Sequence, residues 1–298
     1  MCVICLNQTS LTTTILDCNY CEEIKRIPLF PFLKELNCKG CKNLKELPKI
    51  KTLEVLNFSG CKNIKQIPKE LENLKKLICN FTQIKVLNLP NLENLKCNYC
   101  FNIKQIKDLP NLKYLECSET KIDKIINLTN LEELYLDNCK YLKQIEPFQK
   151  LKTLYIKNCH KLRQIPFLPF LESLEISSQF IEEISNLPNL KFLRIDSFRG
   201  QISNLPNLKF LRIDDSVKEI RKFPSICRII YKDYKQTKID NFYSKPYFKS
   251  KKSVFSRLTT ITKTCFEDLS TLLEKTNTKL FDKNLMFLIF DYVENQKE

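Results

Sequence analysis

Residues 33–48 read LKELNCKGCKNLKELP, and this stretch decides the architecture. Its apolar residues are Leu33, Leu36, Cys38, Cys41, Leu44 and Leu47, and Pro48 closes the phrase. The same phrase returns about every twenty residues. Copies open at Thr13, Leu33, Leu53, Leu74, Leu92, Leu112, Leu131, Leu151, Leu171, Leu190 and Leu208, giving eleven repeats of 18 to 21 residues. Ile226, Ile229 and Tyr231 mark a last, partial strand. The stretch ISNLPNLKFLRID stands at both 184–196 and 202–214, as a tandem duplication would leave it. A unit this short cannot hide its own apolar side chains, so the core forms by stacking one unit on the next.

Within a repeat, Leu36 and Cys38 alternate with Glu35 and Asn37, the two-residue period of a half-buried strand. One such strand per repeat, stacked in parallel about 4.8 Å apart, makes a continuous sheet. After the second cysteine the chain has some ten residues in which to turn and return. That is too short for a full helix, and prolines at 28, 48, 68, 90, 110, 166, 188 and 206 oppose one. Extended or 3₁₀ segments are expected on the convex side. The two sheet ends need caps, for which residues 1–12 and the C-terminal segment are the candidates.

Held through eleven copies, the phrase resembles the leucine-rich repeat family over roughly residues 13–231. Two sub-types are mixed: Cys-x-x-Leu, as at Cys61–Ile64, and Thr-x-Ile, as at Thr82–Ile84 and Thr120–Ile122. The alternation is similar to that in plant disease-resistance receptors. The short period and IPFLPF (165–170) are similar to bacterial secreted effectors. The resemblance implies an α/β, mostly β, solenoid with a parallel sheet on its concave face and a small C-terminal helical cap. It also implies a non-catalytic module that binds a partner protein on that face, with no cofactor. No nucleotide-binding or signalling domain accompanies the repeats, so a receptor role is not implied.

Composition narrows the setting. The chain has no alanine, no tryptophan and three glycines, and it favours residues with AT-rich codons, as in a large virus or a protist. The start MCVICLNQTS lacks a basic region and a long apolar run, and no segment approaches the eighteen apolar residues of a membrane span. The expectation is a monomeric intracellular protein, cytoplasmic, and in the host cytoplasm if viral. Fifteen cysteines raise disulfides or zinc, but register offers a plainer account. Cys18, Cys38, Cys79, Cys97 and Cys117 fall on the inward strand position. Cys21, Cys41, Cys61, Cys100, Cys139 and Cys159 fall on the turn position, where a side chain can bond loop backbone. The competing reading is a zinc site of spacing C-x2-C-x12-C-x2-C at Cys2, Cys5, Cys18 and Cys21; the favoured expectation is no metal.

Alignment exposes two charged columns. The residue after each opening leucine reads Lys34, Glu54, Lys75, Glu93, Lys113, Glu132, Lys152, Glu172, Lys191, Lys209. Alternating signs on adjacent rungs predict a structural ion-pair ladder. A second column reads Lys25, Lys45, Lys65, Lys85, Lys104, Asp123, Lys143, Arg163, Glu182. Stacked like charges gain nothing for the fold. The bland reading is a solvated face; the sharper one, with a net charge of +15, is a stripe for nucleic acid or another anionic partner.

The outward strand residues carry the candidate site. Aromatics there include Tyr20, Phe81, Tyr99, Tyr114, Tyr135, Tyr155, Phe192 and Phe210, and the duplicated repeats add Arg194 and Arg212, with Asp196 and Asp214. The partner-binding set is Tyr99, Tyr114, Tyr135, Tyr155, Phe192, Arg194, Phe210 and Arg212. No catalytic constellation is present: His160, the single histidine, follows Cys159 with no evident carboxylate partner, and three glycines cannot supply a phosphate loop.

After Tyr231 the period fails. Residues 232–263 form a basic, aromatic linker, and 264–277 and 282–295 read as helices. NLMFLIFDYV (284–293) resembles the first helix of an F-box, which implies an alternative role as substrate adaptor for a ubiquitin ligase. The simpler expectation for 264–298 is a helical cap.

Overall fold

A computed structural model describes residues 4–5, 10–213, 219–220 and 228–231, the last two segments as backbone. The linker 232–263 and the helical segment 264–298 lie outside the described residues, as do Cys2 and most of the N-terminal cap.

Each repeat contributes a strand of three to five residues, from Ile15–Asp17 through Val55–Asn57 and Glu133–Asp137 to Arg228–Tyr231. Twelve of these strands form one parallel sheet in which successive repeats are neighbours. Register is kept column by column: Leu134 pairs with Leu154 and Leu154 with Leu174, Tyr135 with Tyr155 and Tyr155 with Glu175. Each repeat is thus one rung, and position in the phrase fixes position in space. The inward columns are buried throughout; Leu36, Cys38, Leu115, Cys117, Leu134 and Leu154 are at most 1% exposed. Burying each leucine contributes about 1.5–3 kcal/mol.

The convex side is extended, with no helix among the described residues. In the later repeats it gains short parallel strands of its own. Gln105–Lys107 pairs with Lys124–Ile126, and Glu183–Ser185 pairs with Gln201–Ser203, which pairs with Glu219–Ile220. Ile106, Ile125, Ile184 and Ile202 point inward from these strands. A left-handed Asx residue ends each of the four with described side chains: Asp108, Asn127, Asn186 and Asn204, with φ of 51–57°. Asn and Asp tolerate that region because their short polar side chains bond locally. Asn127 donates to Asp108, and Asn204 to Asn186. Of the extended or 3₁₀ segments expected, the structure has the extended form, and in the later repeats it pairs into two short parallel sheets, because backbone facing a copy of itself one rung away can satisfy its polar groups in parallel pairing.

Side-chain ladders link the rungs. The thiol of Cys41 donates to the Cys18 carbonyl at 3.0 Å, Cys61 to Cys38 at 3.1 Å, Cys100 to Cys79 at 3.0 Å and Cys139 to Cys117 at 3.2 Å. Thr82 and Thr120 instead donate within their own rung, to Cys79 and Cys117. The two sub-types of repeat therefore differ in bonding as well as spelling: the turn cysteine ties its rung to the preceding one, and the threonine closes its own turn. Burial pushes the Cys79 and Cys97 thiols well up. Hydrogen bonds from Cys79 and Cys117 draw the Cys100 and Cys139 thiols down instead, so protection rests on access: the eleven buried cysteines should resist iodoacetamide in the native protein because the reagent cannot reach them. All should alkylate in guanidinium, as counted by mass spectrometry; native labelling of Cys97 or Cys117 would contradict this packing.

The alternating charge column forms ion pairs: Lys75 to Glu54 at 2.8 Å, Lys113 to Glu93 at 2.8 Å, Lys152 to Glu132 at 2.7 Å and Lys191 to Glu172 at 3.0 Å. These pairs are exposed and salt-screened, so they favour stacking register more than stability. An asparagine ladder beside it carries no signal beyond its recurrence. Asn91, Asn111, Asn130, Asn189 and Asn207 each donate to a backbone carbonyl of the preceding rung.

Candidate functional site

The outward residues of the main sheet form two separate aromatic groups. The larger lies on the strands of the middle and later rungs. Tyr114, Tyr135 and Tyr155 are half-buried against one another, with ring centroids 5.3 and 6.3 Å apart. Tyr114 donates to Glu116 and Tyr135 to Glu133, both at 2.9 Å. Burial, then the neighbouring carboxylates, holds both phenols well above their ordinary range, and Tyr155 is pushed up to about 12 in the same way. All three remain neutral donors at physiological pH.

Charged groups frame the tyrosines. Burial raises the Glu116 carboxyl, but hydrogen bonds from Lys96, Asn98 and Tyr114 outweigh it and leave the group below the usual range. Lys96 pairs with Glu116 at 2.9 Å and lies 5.2 Å from the Tyr114 ring centre. On the other side Arg194 bridges Glu175 at 3.2 Å and Asp196 at 3.4 Å. Burial raises the Glu175 carboxyl, with the Arg194 charge opposing. Phe192 and Phe210, equivalent in the duplicated repeats, stack at 5.1 Å with planes 2° apart. Arg194 and Arg212 occupy the next outward column on the same two rungs. Arg212 makes no ion pair among the described residues, and its Nε is buried without a partner. The surface thus alternates phenol, carboxylate and guanidinium on a rigid sheet.

Tyr99 stands elsewhere. It belongs to the turn column, not the strand, and its ring stacks on Phe81 at 4.3 Å and meets Phe101 edge-on at 6.4 Å. Of the partner-binding set, seven residues therefore share the strand face and Tyr99 joins another group. The signal that separates it is backbone conformation. Eight residues into a repeat the chain is left-handed at Tyr20, Gly40, Gly60, Phe81, Tyr99, Glu119, Asn138, Asn158 and Ser197, with φ between 51° and 75°. Gly40, Gly60, Asn138 and Asn158 are the residues that would point to this turn in a sequence; the aromatics conceal it.

The lysine column runs along the turn side. Lys25, Lys45, Lys65, Lys85, Lys104, Lys143 and Arg163 are all exposed. Backbone hydrogen bonds from Lys45 to Lys25 and from Asp123 to Lys104 show that column neighbours lie on adjacent rungs. The first five make no ion pair among the described residues. Cys18 and Cys21 are buried at their repeat positions, and Cys5 Sγ lies 3.5 Å from Cys21 Sγ. No group of three or more His, Cys, Asp or Glu among the described residues is placed to hold a metal. His160 packs on the edge of Phe180 at 4.8 Å. No described helix is long and apolar enough to cross a membrane.

No family model and no curated protein matches the chain. Solved structures do. The functional domain of InlJ from Listeria monocytogenes, which includes a cysteine ladder, is 15% identical at a TM-score of 0.34, over 74% of this chain and 63% of that one. The chain thus spans less than two thirds of that domain. An internalin, InlF, from the same organism is 16% identical at 0.33, over 78% and 88%. A leucine-rich repeat protein from Bacteroides ovatus is 14% identical at 0.28, over 72% and 74%. The architecture itself is decided by the chain: one parallel strand per twenty-residue phrase, with the leucine and cysteine columns in register from rung to rung. The fold is a leucine-rich-repeat solenoid. The inward columns are consumed by the core, which leaves the outward columns of the sheet and the turn column as the side chains that face away from it.

Proposed function

We propose that the protein is a non-catalytic binding module whose strand face, from Tyr114 to Arg212, holds a partner protein. The observation that carries this is the unbroken run of Tyr114, Tyr135 and Tyr155, continued on later rungs by Phe192–Phe210 and bordered by Arg194 and Arg212. Tyrosine and arginine anchors on a rigid surface contribute contact area at little entropic cost, which is the composition of binding hot spots. Arg212 calls for an acidic group on the partner, since a guanidinium fork matches a carboxylate. Capture from native extract with wild type and with Tyr135→Ala, followed by titration of the captured protein, tests the reading. A partner retained equally by both refutes it.

A second reading rests on five successive lysines of one repeat column, Lys25 to Lys104, which make no ion pair among the described residues. Stacked ammonium groups fit a polyanion such as single-stranded RNA. If all five engage phosphates, the affinity for a labelled single strand should fall with a log–log salt slope of about −3.5, and Lys45→Glu/Lys65→Glu should reduce that slope by about 1.4. Absence of a gel shift at low salt excludes it. The ubiquitin-ligase alternative depends on 264–298, outside the described residues. Co-purification of a ligase scaffold that is lost with that segment is its test.

A further inference from the structure

The second aromatic group is not used by the proposed partner surface, and it sits on a different feature: the left-handed turn column of the first five rungs. Read along the stack, that column is Tyr20, Gly40, Gly60, Phe81 and Tyr99. Left-handed backbone costs an ordinary L-residue about 1–2 kcal/mol. On later rungs the column uses Asn138 and Asn158, which suit the conformation. Tyr20, Phe81 and Tyr99 instead adopt φ of 54°, 59° and 58° with bulky rings. These rings contribute little to the core, since Tyr20 is 63% exposed, Phe81 52% and Tyr99 37%. Residues held in a costly conformation while facing solvent are those for which a binding role explains the cost.

The two glycines between them make a gap. A side chain at Gly40 would collide with the Tyr20 ring, whose Cδ1 lies 2.4 Å from the Cβ site, so that ring lies over the Gly40 backbone. At Gly60 a Cβ would meet nothing closer than the Gly40 Cα, at 3.7 Å. Bare backbone at Gly60 is thus flanked along the column by Tyr20 over Gly40 and by Phe81 stacked on Tyr99. With rungs about 4.8 Å apart, two rungs separate Gly40 from Phe81, roughly the room for one ring-shaped group between two aromatic walls.

The polar residues on the first three rungs of this face are largely amide and hydroxyl. Asp17 accepts hydrogen bonds from the Asn19 backbone at 3.0 Å, the Asn19 amide at 3.1 Å and the Asn37 amide at 3.2 Å. The Asn19 and Asn37 amide oxygens and the Ser59 hydroxyl, which precedes Gly60, are buried without hydrogen-bond partners. Ser59 is 5% exposed. Buried polar groups are normally satisfied, and such a cluster calls for a missing donor or acceptor. This differs from the tyrosine surface, where phenols and carboxylates already satisfy one another.

We infer that rungs one to five bind a neutral glycan, with a pyranose ring seated over Gly60. A sugar offers what this face can use: C–H faces that stack on Tyr20 and Phe81, and hydroxyls that both donate and accept next to Ser59 on the Gly60 rung and toward the amides of the two rungs before it. Lys39, whose ammonium lies 5.5 Å from the Tyr20 ring centre, can donate to a sugar hydroxyl or ring oxygen at the same face.

The test is native affinity electrophoresis of the full chain in gels containing a soluble β-glucan, mannan or galactan, with an array of neutral oligosaccharides alongside. At least one neutral glycan should retard the protein. Phe81→Ala should weaken retardation at least tenfold, and so should Gly60→Asn, which fills the gap with a residue the column tolerates at Asn138 and Asn158. Tyr135→Ala, on the other surface, should leave glycan binding unchanged. Folding of each variant is checked by circular dichroism. The inference is overturned if no neutral glycan binds, or if binding survives both Phe81→Ala and Gly60→Asn. It is equally overturned if a captured protein partner, and no glycan, depends on Phe81. Loss of the partner reading through Tyr135→Ala leaves this result unaffected, so the two failures are distinguishable.

Discussion

Gly200→Ala should lower the unfolding free energy by about 1–3 kcal/mol, the range for forcing extra atoms into a packed site. A Cβ at Gly200 would lie 2.2 Å from the Glu182 carbonyl oxygen and 2.6 Å from its carbon, both backbone of the preceding rung. It would also meet the Phe198 ring at 2.6 Å. Backbone cannot swing aside as a flexible side chain does, so the rungs must separate. The Gln201 amide, which donates to Glu182 at 3.0 Å, would lose its partner, and the convex pairing of Gln201–Ser203 with Glu183–Ser185 would open. Because each rung contacts mainly its neighbours, the damage should be local: amide exchange should accelerate at Ile184 and Ile202 before it does at Leu56 or Leu77. Gly60→Ala is the control. There the space is open and the cost is that of left-handed alanine alone, about 1–2 kcal/mol. If guanidinium unfolding and exchange cannot tell Gly200→Ala from wild type, the close approach is not real.

Tyr135→Ala should weaken partner binding by roughly thirtyfold, equivalent to the 2 kcal/mol that defines a hot spot. Tyr135 is central: its ring touches those of Tyr114 and Tyr155, and its hydroxyl is bonded to Glu133. Truncation would remove contact area and free the Glu133 carboxylate at the same time. Tyr135→Phe separates the two effects. It keeps the ring and should retain most of the affinity, because the hydroxyl is engaged within the chain. The inward neighbours Leu134 and Leu136 are fully buried, so the fold should tolerate both changes and thermal unfolding should shift by only a few degrees. Equal binding by wild type and alanine variant, measured by calorimetry, would move the partner site away from the strand face.

Much of the fold is legible in the chain because the repeat makes local patterns report on global position. Leu33, Leu36 and Cys38 recur at fixed spacing, so their burial follows without knowledge of any particular neighbour. The Lys34–Glu54–Lys75 column is legible for the same reason: register turns a pattern along the sequence into adjacency in space. The convex strands are less so. Ile106 between Gln105 and Lys107 is a one-residue period, too short to separate strand from extended coil, and pairing with Lys124–Ile126 exists only once the rungs are stacked. The candidate site was partly legible. Tyr135 and Tyr155 share a column on adjacent rungs and are found together. Repeat position places Tyr99 with Tyr114 among the outward residues, yet its ring lies on Phe81.

The sequence by itself determined the period, the inward leucine and cysteine columns and the alternating ladder, because each depends on spacing within one repeat. Tertiary structure decided what depends on two rungs meeting. It set the reach of Cys41 to the Cys18 carbonyl, the approach of Gly200 to Glu182 and the left-handed turn that carries Tyr20, Phe81 and Tyr99 out to solvent. Those contacts form between residues 18 to 23 apart along the chain, and only stacking brings them within bonding distance.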